Sequence, residues 1–272
     1  MAGEFEEKVV WITGGGTGIG EALALEFAEQ GAVVAVSGRR VSPLEETAAD
    51  VDAAGGRGLV VPCDVTKVTE VESAVDEIVD ATGRIDVAVA NAGYSVSGAF
   101  EELSTAEWRR QLEVNVLGLV TTIKAALPEM RKTEGRAVLM GSVAGTVGLP
   151  NNGPYSASKF AVRGIGQTLT AELSGTGVSC TTLLPGFVES EIGHVDNKGR
   201  YREDWEDQRP KQLMWPADRA ARSMLRAIKK RRTEAVITGH GKLVTFLANH
   251  APRLTQLVMG RVGGGARKKL QE

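Results

Sequence analysis

Cysteine is scarce in this chain, with only Cys63 and Cys180 among 272 residues. Two such cysteines make neither a disulfide framework nor a CxxC pair. Histidine is almost as rare: His194, His240 and His250 never fall at HExxH spacing, so no metal is expected. No uncharged apolar run approaches the roughly 20 residues that a membrane span needs. The N-terminus, MAGEFEEKVV, is acidic where a secretory signal would be basic. A reducing, cytoplasmic setting is the expectation.

What remains is 42% hydrophobic and 24% charged, ordinary for a soluble globular protein and unlike a disordered, collagenous or coiled-coil chain. The length suits one large α/β domain. A net charge of -2 hides an uneven distribution. Residues 1–210 hold 18 basic and 31 acidic side chains, and residues 211–272 hold 14 and 3, so -13 stands against +11.

Short apolar segments bounded by glycine or proline alternate with amphipathic ones, a βαβ rhythm. Strands are predicted near Val9 to Thr13, Val33 to Ser37, Leu59 to Pro62, Val87 to Asn91, Ala137 to Gly141, Val178 to Leu184 and Ala235 to Thr238. Runs such as Val9-Val10-Trp11-Ile12 are apolar on both faces, which suits a parallel strand covered by helices on each side. The predicted fold is therefore α/β, a doubly wound seven-stranded parallel sheet. The first crossover helix starts after Gly18, carries Ile19, Leu23 and Phe27 as its core stripe, and stops before Gly31. With no repeat and no flexible linker before residue 240, one domain over 1–240 and an appendage over 241–272 are expected.

Between the first strand and its helix stands Thr13-Gly14-Gly15-Gly16-Thr17-Gly18-Ile19-Gly20. Free backbone N–H groups and the positive end of the helix dipole favour a pyrophosphate there, and the missing Cβ atoms admit it closely. The spacing is GxxxGxG rather than GxGxxG, and no GK[ST] follows, which rules out a triphosphate P-loop. Alone, such a turn also fits a tight strand-to-helix junction without ligand. The second strand ends in Ser37-Gly38-Arg39-Arg40. Gly38 occupies the place where an acid would bind both ribose hydroxyls of NAD(H), and Arg39 offers a planar fork for a 2′-phosphate. NADP(H) is therefore favoured over NAD(H), although Arg39 and Arg40 also fit a solvated loop.

Downstream, Tyr155-Ser156-Ala157-Ser158-Lys159 opens a helix. Four residues are about 400° and 6 Å of helix, so Tyr155 and Lys159 share one face. For a phenol to work as acid and base near neutrality its pKa must fall by about three units, or about 4 kcal/mol. A neighbouring ammonium and an oxidised nicotinamide could supply that together.

These residues resemble the short-chain dehydrogenase/reductase family in its compact, single-domain Rossmann form, over about residues 7 to 240. Besides TGxxxGIG and YxxxK the chain has Asn91-Ala92-Gly93, Asn115 in the fourth helix, Ser142 placed 13 residues before Tyr155, and Pro185-Gly186 after the sixth strand. The resemblance implies that Tyr155 exchanges a proton with the carbonyl or alcohol oxygen, that Ser142 orients it, and that Lys159 holds the nicotinamide ribose and tunes Tyr155. It implies that Asn115 anchors a water relaying protons to Lys159. Asp64 and Val65 would contact the adenine, Asn91, Ala92 and Gly93 would support the sheet beside the cofactor, and Thr13 would brace the glycine turn. Pro185, Gly186, Val188 and Ser190 would flank the nicotinamide side, Ser190 standing where the family usually has threonine.

Residues 189–216 are charged and irregular, with Phe187, Tyr201, Trp205 and Trp215 nearby, as in a lid over a small-molecule carbonyl or alcohol substrate, the aromatics leaning toward a bulky or apolar ketone. The aromatics suit pinning the lid as well as touching a ligand. Past the last strand, Leu243, Phe246, Leu247, Leu254, Leu257 and Val258 point to two short amphipathic helices broken at Pro252. These could dock on a second subunit, rest on an anionic membrane surface, or fray. No nucleic-acid motif accompanies the basic tail. The resemblance also implies a homodimer or homotetramer. The expected activity is hydride transfer between NADP(H) and a carbonyl or secondary alcohol. An idle dinucleotide sensor or scaffold is the alternative from another class, and an epimerase or dehydratase the alternative on the same fold.

Overall fold

The computed structural model describes residues 3–205, 207 and 209–269, so Met1 and Ala2, two lid positions and the last three residues of the basic tail lie outside the described residues. Seven parallel strands form one sheet in the order β3-β2-β1-β4-β5-β6-β7. They are β1 (Val9–Thr13), β2 (Val33–Ser37), β3 (Arg57–Val60), β4 (Val87–Ala90), β5 (Arg136–Met140), β6 (Ser179–Leu184) and β7 (Glu234–Val236). The expected doubly wound Rossmann sheet is therefore present. Order reverses between β1 and β4, and in such sheets ligands bind outside the carboxyl ends of the strands at that switch point.

Helices cover both faces. α1 (Gly18–Ala28), α2 (Val41–Ala53) and α7 (Ala217–Lys229) lie on one; α3 (Val68–Thr82), α5 (Leu119–Thr133) and α6 (Gly153–Glu172) lie on the other. Strand residues alternate between the two cores. Val10, Ile12, Val34 and Val36 pack under α1 and α2, whereas Val9, Trp11 and Ala35 face α3 and α5. All seven are apolar because neither face meets water, which is why these strands read as continuous runs. Trp11 is fully buried, and its indole N–H donates to Ser37 Oγ at 2.8 Å, so the polar edge of the ring is satisfied inside the sheet.

α4 (Thr105–Leu112) starts at a capping box between Ser104 and Glu107 and runs into a π-helical segment, Glu113–Gly118, before α5. After β7, α8 (Gly239–His250) and α9 (Pro252–Lys269) form the expected helix pair, broken at Pro252. The strands keep their expected places to within about two residues, and β3 shifts most. β3 starts at Arg57 rather than Leu59, because Arg57 and Gly58 pair with Val33 and Val34 although Arg57 is exposed.

Candidate active site

A cleft of about 360 Å³ opens at the carboxyl ends of β1, β2, β4, β5 and β6. The glycine turn forms one wall. Gly14 has φ +64 and Gly20 sits so that a Cβ would strike the Gly14 carbonyl, so both positions require glycine. The turn is held from the neighbouring strand: Asn91 Nδ2 donates to the Thr13 and Gly14 carbonyls, each at 3.0 Å. Thr13 Oγ1 accepts from the Asn91 and Ala92 N–H groups and donates to the Val89 carbonyl. Asn91 thus braces the glycine turn, and Thr13, expected to do so, ties β1 to the end of β4. The Gly18 N–H, at the start of α1, donates to Glu21 Oε2 at 3.2 Å.

Gly14, Gly16, Thr17, Ile19 and Gly20 line the cleft with Gly38, Arg39 and Arg40, and so do Asp64, Val65, Asn91, Ala92, Gly93, Tyr155, Lys159, Pro185 and Ser190. Burial raises the Asp64 carboxyl, but hydrogen bonds from Thr66 and the nearby Arg39 outweigh it and hold Asp64 below the usual carboxylate range. Gly18 lies outside this lining, against Ser190. Thr13, Asn115, Ser142, Gly186 and Val188 are not among the lining residues.

At the far end, α6 starts with Pro154 in its first turn, which fixes the face that carries Tyr155 and Lys159. Lys159 Nζ lies 5.7 Å from the centre of the Tyr155 ring and donates to the Met140 carbonyl at 2.7 Å. Burial pulls this ammonium down to about 8. Tyr155 moves the other way: burial pushes the phenol up, and a hydrogen bond with Ser142 and the positive Arg209 only partly oppose this. Ser142 Oγ accepts from the Ala144 N–H and donates to the Pro185 carbonyl. Tyr155 therefore has Ser142 on one side and Lys159 on the other, but the protein alone does not make the phenol acidic.

Asn115 is buried between the turn after β4 and α6. It lies in the π-helical segment, where its Oδ1 accepts from the Tyr94 N–H and its Nδ2 donates to the Tyr94 carbonyl and to Ser158 Oγ. The side chain thus ties the turn after β4 to Ser158 on α6, one residue before Lys159. Gly186 is a close-approach glycine, since a Cβ there would strike Thr238 and His240. Val188 is buried and pairs with Trp215, which fastens the start of the lid to its end.

Several residues in or near the cleft escaped the sequence reading. Arg110 and Tyr94 enter the cleft from α4 and the turn after β4, and Pro43 and Leu44 enter from α2. Arg209 is distant in sequence but donates to the Val188 and Ser190 carbonyls, each at 2.9 Å, and pairs with Asp207. The lid closes over the arginines of β2: Arg39 donates to the Gly199 carbonyl at 3.0 Å, Arg40 pairs with Glu191 and stacks over Tyr201. Of the lid aromatics, Tyr201 lines the cleft, Trp215 packs on the core under Arg219, and Phe187 stacks on His240. Trp205 is exposed.

The family model described as "short chain dehydrogenase" matches residues 8–200. The chain belongs to the short-chain dehydrogenase family. It is 36% identical over 188 residues to the meso-2,3-butanediol dehydrogenase of Serratia marcescens, covering 69% of this chain and 74% of that one. An alcohol dehydrogenase from the archaeon Thermococcus sibiricus, solved with 5-hydroxy-NADP, superposes with a TM-score of 0.74 at 30% identity, covering 86% of this chain and 97% of that chain. A short-chain dehydrogenase/reductase from Burkholderia phymatum, solved with NAD, gives a TM-score of 0.82 at 27% identity, covering 92% and 96%. As a short-chain dehydrogenase the protein is an oxidoreductase of alcohol or carbonyl groups that uses a nicotinamide dinucleotide. The cradle fits such a cofactor, because the glycine wall leaves room where side chains would intrude.

Proposed function

We propose that this short-chain dehydrogenase transfers hydride between NADP(H) and a ketone or secondary alcohol, with Tyr155 as the general acid and base. The placement of Tyr155 and Lys159 at one end of a glycine-walled cleft, with Ser142 hydrogen-bonded to Tyr155, carries this reading. Bound nucleotide supplies the hydride acceptor or donor and, when oxidised, a positive ring. Tyr155 passes its hydroxyl proton to the carbonyl oxygen in reduction and recovers it in oxidation. Ser142 donates a hydrogen bond to that oxygen. Lys159 steadies the phenolate, and in the free protein its ammonium is occupied by the Met140 carbonyl. Asn115, whose side chain holds the turn that carries Tyr94, would anchor the water that relays protons to Lys159.

The choice of NADP(H) over NAD(H) is supported by Gly38, which leaves no acid at the end of β2, and by Arg39, Arg40 and Arg110 on the same rim. Residues 1–240 would form the catalytic unit and 241–272 an appendage. Homodimerisation or a homotetramer is supported by Leu117, Val120 and Phe160, exposed apolar residues on the segments that carry Asn115 and Tyr155. Cys63 and Cys180 are free and buried, in keeping with a reducing cytoplasm.

The test is nicotinamide absorbance with a panel of ketones and secondary alcohols, NADPH against NADH, for the wild type and Tyr155→Phe. Turnover with NADPH that vanishes in Tyr155→Phe while nucleotide affinity persists is the expected result. Full activity in that variant would overturn the mechanism.

A further inference from the structure

After β7 the chain changes character. From Ala235 to Gln271 there is no aspartate or glutamate, while Lys242, Arg253, Arg261, Arg267, Lys268 and Lys269 supply positive charge. α8 and α9 are built from this stretch. α8 buries Gly241 and Thr245, and α9 buries Thr255. Val244, Leu247 and Met259 are half-buried, and five large apolar side chains face outward: Leu243 is 61% exposed, Phe246 58%, Leu254 55%, Leu257 56% and Val258 47%. Leu254, Leu257, Val258 and Arg261 stand at i, i+3, i+4 and i+7, one face of α9; Leu243 and Phe246 share a face of α8. Helices that bury threonine and glycine and turn leucine and phenylalanine outward are inverted relative to an ordinary surface helix. Exposed Lys242, Arg253 and Arg261 flank the apolar residues.

We infer that the α8–α9 pair is a docking surface for an anionic lipid membrane, lying in the interface with Leu243, Phe246, Leu254, Leu257 and Val258 in the acyl boundary and the basic residues at the headgroups. Charge argues against the pair packing on its own copy. A twofold interface sets the same patch against itself, and here cation would meet cation with no acid in the segment to relieve it. An anionic leaflet supplies both partners, acyl chains for the leucines and phosphates for the arginines. Among the described residues no helix is long and apolar enough to cross a membrane, so the contact lies on one leaflet. The pair is also fixed to the site. His240 Nε2 accepts from the Phe187 N–H at 3.1 Å, and Thr245 Oγ1 lies 3.4 Å from Thr146 Oγ1, just after the turn that follows Ser142. A surface that holds α8 therefore holds the substrate end of the cleft.

The test is flotation of the full-length protein with vesicles of phosphatidylcholine and phosphatidylglycerol in a two-to-one ratio, against phosphatidylcholine alone. Binding to the anionic vesicles that weakens with added salt is expected. Phe246→Glu with Leu257→Glu should lower partitioning at least about tenfold, and Arg253→Gln and Arg261→Gln by about fivefold each. Turnover in solution and circular dichroism should match the wild type, which separates lost docking from lost folding. No binding to anionic vesicles at low salt would overturn the inference. So would binding indifferent to these substitutions, or a glutamate variant that changes the oligomeric state by light scattering while leaving flotation unchanged.

Discussion

At the glycine turn the residues that meet are close in sequence or sit on paired strands. Gly18 is held by Glu21 within one turn of helix, and Gly14 by Asn91 from the adjoining β4. Over Arg39 and Arg40 the partners come from much farther along the chain: Gly199 is 160 residues away and Glu191 is 151. The first region is a cradle of backbone whose shape is set before any ligand arrives. The second is a rim of charge already satisfied by the lid, so an anion bound there competes with the Gly199 carbonyl and the Glu191 carboxylate. Phosphate binding at the turn is preorganised, whereas recognition at the rim is coupled to lid position.

The catalytic end bounds this comparison. Tyr155→Phe is expected to cut turnover about a thousandfold, the scale of a lost general acid. Nucleotide affinity, measured by fluorescence titration, should stay within about twofold. Next in size is the cradle itself. Gly20→Ala forces a methyl group into the Gly14 carbonyl, and a strain of about 1–3 kcal/mol should appear as a lower melting temperature together with weakened nucleotide binding. A variant that binds normally would mean that the turn is softer than its packing implies. At the rim, Arg39→Ala should narrow the preference for NADPH over NADH by about ten- to a hundredfold in kcat/KM, as expected for loss of a charge-assisted pair.

Lys159 offers a pH test of how closed the catalytic end is. A buried ammonium lowered to about 8 penalises the folded state wherever both states are protonated. Between about 8 and the ordinary lysine value near 10.4 the unfolded chain binds more protons, so stability rises with pH through that window and the full cost lies below it. Denaturant melts of Lys159→Met against the wild type should show the variant gaining up to about 3 kcal/mol at pH 7, and the gain should shrink toward pH 10. A gain that does not depend on pH would show Lys159 to be solvated. The smallest effect belongs to Glu191→Gln. Freeing Arg40 from a partly exposed ion pair should tighten NADPH by no more than about fivefold and leave NADH unchanged. Equal effects on both nucleotides would place Arg40 away from the 2′-phosphate.

Much of the frame was legible because it is local. Val9-Val10-Trp11-Ile12 reads as a strand buried on both faces, and Ile19, Leu23 and Phe27 read as one helix stripe, since period and composition are properties of short windows. Asn115 was legible as a residue of interest but not in its setting. A π-helical turn re-aims a side chain by one residue's worth of rotation, and nothing in Glu113-Val114-Asn115-Val116 announces it. Arg110, Tyr94 and Arg209 were missed for a related reason. A polar side chain on a helix or in an irregular loop looks solvated until the fold sets a cleft or a partner in front of it.

The sequence by itself determined the order of strands and helices, the glycine turn, the spacing of Tyr155 to Lys159 and the placement of positive charge after β7. All of these follow from residue type and short-range geometry. Only the tertiary structure decided that the lid takes up Arg39 and Arg40, that Asn115 turns to Tyr94, and that Leu254, Leu257 and Val258 face outward while Thr255 is buried. Those outcomes depend on which surfaces, far apart along the chain, are brought within hydrogen-bonding or van der Waals reach, and no short window of sequence contains that information.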